Sequence, residues 1–238
     1  MMRFDVVTLF PELFSGYLEH GILNRAIRQG QVSVHLHDLR QWAEGKHRQV
    51  DDTPYGGGAG MVMMVEPVVK AVRQILSLEA SETKNSQVVL LSPQGEPLKQ
   101  TRVENLASGY QQIILLCGRY EGFDHRVVDI LQPLELSIGD YVLNGGEVAA
   151  MVVVDSVMRL IPGVLGDQMS HVDDSFSSGN RILEYPQYTR PAKFEGYPVP
   201  PILLSGNHQA IEDWRREQSR ARTANRRHDL IHPPKSPN

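Results

Sequence analysis

Residues fit for chemistry gather in three loops, one carboxylate–arginine pair, one pair of carboxylates and one basic stretch. The loops are Ser92-Pro93-Gln94-Gly95, Gly118-Arg119-Tyr120-Glu121-Gly122 and the run from Ile138 to Gly146, IGDYVLNGG. Each follows a short apolar run, so each reads as the end of a strand. They offer main-chain N–H and C=O groups more than charged side chains. Such a set suits a ligand read by backbone hydrogen bonds, for example adenine; it is equally what plain tight turns look like. Asp155 and Arg159 stand four apart, acid first, the favourable order for a helical ion pair. Arg159 alternatively turns its guanidinium into a site and stabilises an anion. Asp173 and Asp174 sit in a polar stretch, where carboxylates are mostly solvated. One of them as a general base is the sharper reading. Towards the C-terminus come Arg215, Arg216, Arg220, Arg222, Arg226 and Arg227, with Glu212, Asp213 and Glu217 ahead of or among them. They read either as a solvated helix face that complements the helix dipole or as a phosphate-binding patch. His47, His171 and His208 have no carboxylate or second histidine at ligand spacing, so no metal is assigned.

Whole-chain properties narrow the classes. With 238 residues, 41% hydrophobic and 22% charged, the chain is long and apolar enough for one large globular domain, or one plus a small one. A net charge of −4 gives no global basic field, so nucleic-acid binding would need a local patch. Cys117 is the only cysteine, which excludes an intramolecular disulfide or a Cys-rich zinc site and fits a reducing cytoplasm. The N-terminal MMRFDVVTLFPE lacks a signal-peptide core, and the longest apolar run, Val148 to Val154, is too short to span a bilayer. No membrane association is therefore expected. Dinucleotide, P-loop, nucleophile-elbow and HExxH patterns are missing, which argues against NAD, ATP, serine-hydrolase and zinc-protease chemistry.

The elements that must hold these residues follow from periodicity. Phe4 to Phe10 reads as a buried strand, Phe14 to Gln29 as a helix with Ser15 as N-cap and Gly30 at its C-terminus, and Gln31 to Leu36 as a half-exposed strand. Regularity lapses from Asp38 to Met61, a loop holding Lys46, His47, Arg48, Asp51, Asp52, Tyr55 and Gly56-Gly57-Gly58. Loops of that length are usually functional or mobile. Glu66 to Leu78, Lys99 to Ala107 and Asp124 to Leu131 read as helices. Ser81 to Ser86 reads as a polar connection. Val88 to Leu91 and Ile113 to Cys117 read as fully apolar strands, the first broken by SPQG, and Leu134 to Ile138 as the third strand of the set. Alternation of such strands with helices predicts an α/β fold with a mostly parallel sheet covered on both faces, its ligand beyond the strands' carboxyl ends. The helix after Gly146 is apolar nearly all round and is expected to be buried all round. Gly166 to Ser177 reads as a flexible linker. A Pro- and Tyr-rich stretch from Tyr185 to Pro201, a last helix from about Asn207 to Ala224 and a short Pro-rich tail, His232 to Pro237, complete the chain.

Eight motifs in order now go beyond generic reading: VDDTPYGGGAGMVM (Val50 to Met63), LLSPQG (Leu90 to Gly95), CGRYEG (Cys117 to Gly122), SIGDYVLNGGE (Ser137 to Glu147), DSVMRLIPGVLG (Asp155 to Gly166), DDSF (Asp173 to Phe176), YTRP (Tyr188 to Pro191) and PPILLSGNH (Pro200 to His208). Together they resemble the bacterial tRNA (guanine-37-N1)-methyltransferase family, the TrmD type of the SPOUT superfamily, over nearly the whole chain. The resemblance implies methylation, from S-adenosyl-L-methionine, of N1 of the guanine 3′ to the tRNA anticodon. It implies a homodimer with active sites between subunits and a trefoil knot closing the α/β domain. The domains it implies are residues 1–165 for the knotted cofactor-binding part, 166–177 for a flexible linker and 178–238 for a small helical tRNA-binding domain. Cofactor contacts are then expected from Leu91, Ser92, Pro93, Gly118, Tyr120, Glu121, Ile138, Gly139, Asp140, Tyr141, Val142, Leu143, Gly145 and Gly146. Asp174 becomes the general base and Arg159 the group that stabilises charge on O6. Contacts to tRNA are expected from His47, Asp51, Tyr55, Gly56, Arg215, Arg220, Arg226 and Arg227. The resemblance also carries a dependence on magnesium, for which the sequence shows no site. Ala59 and Ala149 stand where the family usually has proline, which predicts looser turns at both places. The other class of protein compatible with these motifs is a non-catalytic RNA-binding protein that retains the fold.

Overall fold

The computed structural model describes residues 1–79, 85–166, 174–177 and 181–231. The chain divides into two compact units, 1–168 and 169–238. Most of the expected linker, with His171 and Asp173, lies outside the described residues, as do most of the polar connection from Ser81 to Ser86 and the Pro-rich tail.

The first unit runs β1 (Met2–Thr8), α1 (Ser15–Glu19), α2 (Gly21–Arg28), β2 (Val32–Asp38), β3 (Asp51–Asp52), β4 (Val62–Met63), α3 (Val65–Glu79), β5 (Ser86–Pro97), α4 (Gln100–Gly109), β6 (Gln112–Cys117), α5 (Arg126–Leu131), β7 (Leu134–Ser137) and α6 (Glu147–Met158). Five strands form one sheet in the order β2-β1-β6-β5-β7, every pairing parallel. Successive side chains of a strand point to opposite faces, and the two cores show it. Phe4, Val6, Ile113, Leu115, Val89 and Leu91 face α2, α4 and α6. Val7, Ile114, Leu116 and Leu90 face α3 and α5. The central strand β6 is buried along its whole length, which is why it reads as an unbroken apolar run. Each such side chain removed from water stabilises the fold by about 1.5–3 kcal/mol.

Local differences from the sequence reading have local causes. The helix expected from Phe14 to Gln29 is two helices, because His20 is extended and Gly21 takes a φ of 68°. Glycine adopts that conformation at little cost. Ser15 is not an N-cap; a 3-10 turn, Pro11–Phe14, precedes it, and its hydroxyl donates to the Glu12 carbonyl at 3.0 Å. SPQG does not end its strand. β5 continues to Pro97, and its register against β7 shifts between Leu91 and Glu96, so Ser92 to Gly95 form a bulge. A Cβ at Gly95 would collide with the backbone of Glu135 and Leu136, so only glycine lets the bulge lie this close. The apolar helix α6 is not buried all round: Val148 and Val152 are 55% and 40% exposed. Ala149 packs into the core, and the Ala150 N–H donates to the Gly146 carbonyl at 2.8 Å.

The second unit contains a two-stranded ribbon, β8 (Lys193–Phe194) with β9 (Tyr197–Pro198), and the long helix α7 (His208–Arg226). The Asn207 side chain accepts from the Ala210 N–H at 3.2 Å and caps α7. Thr223 is buried and takes the Leu183 N–H at 2.9 Å. Trp214 packs near Tyr188, ring centroids 6.4 Å apart.

Candidate active site

Register brings the three loops to one edge of the sheet. Leu91 pairs with Cys117 on one side and Leu136 on the other, so the carboxyl ends of β6, β5 and β7 lie side by side. Of the expected cofactor residues, Leu91 and Gly146 are buried, while Ser92, Gly118, Ile138, Gly139 and Gly145 are half-buried. Pro93, Tyr120, Glu121, Asp140, Tyr141, Val142 and Leu143 are exposed around them. Tyr120 holds a left-handed φ of 58°, unusual for a bulky residue and characteristic of functional turns. The Tyr141 hydroxyl donates to the Ile138 carbonyl at 3.0 Å and folds the third loop on itself.

The loop after β6 is tied down on two sides by main-chain bonds. The Gly146 N–H donates to the Gly118 carbonyl at 2.9 Å. A Cβ at Gly146 would strike the Cys117 backbone. On the other side Glu121 N–H donates to the Met61 carbonyl at 3.0 Å and Met63 N–H to the Gly122 carbonyl at 2.9 Å. Met63 also pairs with Asp51 across β3 and β4. Asp51 and the glycine-rich segment that begins at Gly56 are thereby anchored beside Glu121. Tyr55 is fully exposed, and His47 is exposed in the preceding loop. The Asp124 carboxylate accepts from the Arg126 N–H at 2.9 Å, capping the short helix that follows.

Sequence reasoning assigned no role to the buried polar groups beneath these loops. Glu147 opens α6 with a side chain only 2% exposed. It accepts from the Thr8 hydroxyl at 2.8 Å and from Arg119 Nε at 3.2 Å. Arg119 Nη2 lies 2.9 Å from its other oxygen, off the hydrogen-bond line, so that contact is ionic. The signal was present: a carboxylate opening an otherwise apolar helix must find a buried partner. Asp5, fully buried on β1, is bound at 2.8 Å by Arg3, His37 and Gln112. Burial alone would raise its carboxyl; hydrogen bonds from His37, Arg3 and Gln112 outweigh that and hold it well below the usual carboxylate range.

Arg159 caps the end of α6 and is half-buried, its N–H directed at the Asp155 carbonyl. Asp174 belongs to the second unit, half-buried at a turn whose Ser177 N–H donates to its carbonyl at 3.1 Å. It lines an open cleft there with Tyr185, His208, Arg215 and Arg220. Arg215 stacks over Tyr185 at 4.7 Å. Arg227 is held by Asp229 through contacts of 2.8 and 2.9 Å. Arg220 and Arg226 are exposed and form no ion pair among the described residues.

The first unit is thus an open parallel α/β domain with its loop cluster where such sheets hold ligands. A family model described as tRNA (Guanine-1)-methyltransferase TrmD matches residues 2–233. A Rhodopirellula baltica protein named tRNA (guanine-N(1)-)-methyltransferase is 59% identical over 97% of this chain and 94% of its own. Relatives of the same name from Geobacillus kaustophilus and Chloroflexus aurantiacus are each 53% identical over 97% of this chain, covering 91% and 88% of their own. The chain belongs to the TrmD family of tRNA (guanine-N1)-methyltransferases.

Proposed function

We propose that this protein transfers a methyl group from S-adenosyl-L-methionine to N1 of the guanine 3′ to the anticodon, position 37, of tRNA. The observation that carries the reading is family membership over nearly the whole chain, with glycine loops gathered beyond three adjoining strands. The residues at that edge fit the methyl donor. Leu91 and Ile138 offer apolar walls, and Gly118 and Gly145, half-buried beside them, bring main chain without a Cβ. When bound there, S-adenosylmethionine supplies an electrophilic methyl group. The protein's own residues do the rest. N1 of guanine carries a weakly acidic proton and is a poor nucleophile until it leaves. Asp174 takes that proton as general base. Arg159 stabilises the negative charge that moves onto O6. Holding the base and the donor in line supplies much of the remaining rate.

The return of the chain from β7 past β5 to Gly118 is read as the knotted crossing of the SPOUT fold. Val148 and Val152, exposed on α6, support a homodimer that completes the active site. Arg215, Arg220, Arg226 and Arg227, with His47, Asp51, Tyr55 and Gly56, are read as the tRNA contacts, and the cytoplasm as the place of action. No helix among the described residues is long and apolar enough to cross a membrane. No three His, Cys, Asp or Glu side chains converge into a metal site among the described residues.

Nucleoside mass spectrometry of unmodified tRNA incubated with protein and S-adenosylmethionine is expected to show N1-methylguanine at position 37. Asp174→Ala is expected to keep donor affinity and to lose turnover by about 10²–10⁴-fold. Tight tRNA binding by wild-type protein without methyl transfer would establish a non-catalytic RNA-binding protein instead.

A further inference from the structure

The Arg119 guanidinium does not face the open side of the loop cluster; it reaches beneath it. It lies 4.5 Å over the Phe10 ring, just after β1. Nη1 donates to the Asn144 carbonyl at 3.2 Å, inside the third loop. Nε and Nη2 engage the Glu147 carboxylate, whose Oε1 also takes the Thr8 hydroxyl at 2.8 Å. The Arg119 N–H points at Met63 Sδ, 3.1 Å away, from the segment that anchors Glu121. One residue therefore joins the end of β1, the loop after β6, the loop after β7, the start of α6 and β4. The ion pair also dictates a glycine: a Cβ at Gly145 would collide with Arg119 and with the Glu147 carboxylate.

We infer that the Arg119–Glu147 ion pair, with Thr8 behind it, is a positioning device that sets the spacing between the Gly118–Glu121 and Asn144–Gly146 loops and thereby donor affinity. This rests on the reading of those loops as the methyl-donor pocket. A guanidinium fork fixes both distance and angle, because its donors are rigidly arranged. A lysine keeps the charge and loses the fork. Glu147 sits in the first turn of α6, where a carboxylate gains from the helix dipole.

Calorimetric titration of S-adenosylmethionine into tRNA-free protein tests this. Arg119→Lys and Glu147→Gln are each expected to raise its Kd by about tenfold or more, the loss of one charge-assisted hydrogen bond. In steady state KM for the donor rises while KM for tRNA stays within about twofold. Thr8→Val removes one hydroxyl at constant shape and is expected to raise the donor Kd by about threefold, which keeps the test open where a charge variant fails to fold. The double variant Arg119→Met with Glu147→Met removes both charges, so it is expected to regain thermal stability over the single variants without regaining donor affinity. Recovery of donor affinity together with stability would reduce the pair to a structural role and overturn the inference, as would unchanged affinity in Arg119→Lys and Thr8→Val. Wild-type protein that does not bind the donor at all would overturn the methyl-donor reading itself, and the inference with it.

Discussion

Helices α6 and α7 solve the problem of charge in opposite ways. α6 turns its first charge, Glu147, inward and pairs it over long stretches of chain: Glu147 reaches Thr8, 139 residues away, and Arg119, 28 away. α7 carries its charges outward and pairs them with neighbours, Arg216 with Glu212 and Asp213. Its only buried residues are Ser219 and Thr223. Buried pairs fix geometry because breaking one leaves a charge without water. Exposed pairs contribute little and leave the field available to a partner. The difference separates a helix whose first charge is tied into the packing from one whose charges stay largely at the surface.

The sharpest way to break that contrast is to put a charge into each helix. Val153→Asp, at a fully buried position of α6, is expected to cost roughly 3–5 kcal/mol in urea unfolding. An effect as small as that of a surface change would mean α6 is not the packing centre. Next comes Asp5, whose carboxyl is held low in the folded state. A folded pKa below the unfolded one contributes stability that is complete above about pH 4 and is lost as pH falls towards the folded value. Asp5→Asn is therefore expected to flatten the acid side of the stability–pH curve, measured by denaturation from about pH 7 down to 3. An unchanged acid slope would remove Asp5 from the account.

In α7 the expectation concerns binding. Arg226→Ala should lower the salt slope of tRNA affinity by about one. Arg227→Ala should lower it less, because Asp229 already neutralises that guanidinium. Equal effects would mean the Arg227–Asp229 pair opens on tRNA. The smallest effect is expected from Ala221→Glu, exposed on α7: unfolding free energy stays within about 0.5 kcal/mol.

Much of this was legible in advance. Ile113 to Cys117 announced a strand buried on both faces, and β6 is the centre of the sheet. Asn207 announced the start of α7, and its side chain caps it. Gly30 announced the end of α2, and its φ is 70°. Each signal is local, since a cap or a turn is settled within a few residues. The SPQG stretch and the loops after β6 and β7 lie at one edge, as expected where parallel strands run side by side. Three readings failed for want of context. The break at His20 hid inside a helical pattern. SPQG read as a turn although β7 holds it as a bulge. Val148 and Val152 read as core although they are exposed on α6.

By itself, then, the sequence determined which segments are strands and helices, where glycines relieve the backbone, and to which family the chain belongs. Those properties depend on side-chain period, turn chemistry and ordered motifs, all carried along the chain. Only the tertiary structure decided the order β2-β1-β6-β5-β7 and the meeting of Thr8, Arg119 and Glu147. Both depend on contacts between residues far apart in sequence, whose partners no local pattern names. Gly145 shows the division in one residue: its type was plain from the start, but the reason for it, an ion pair with no room for a Cβ, exists only in the fold.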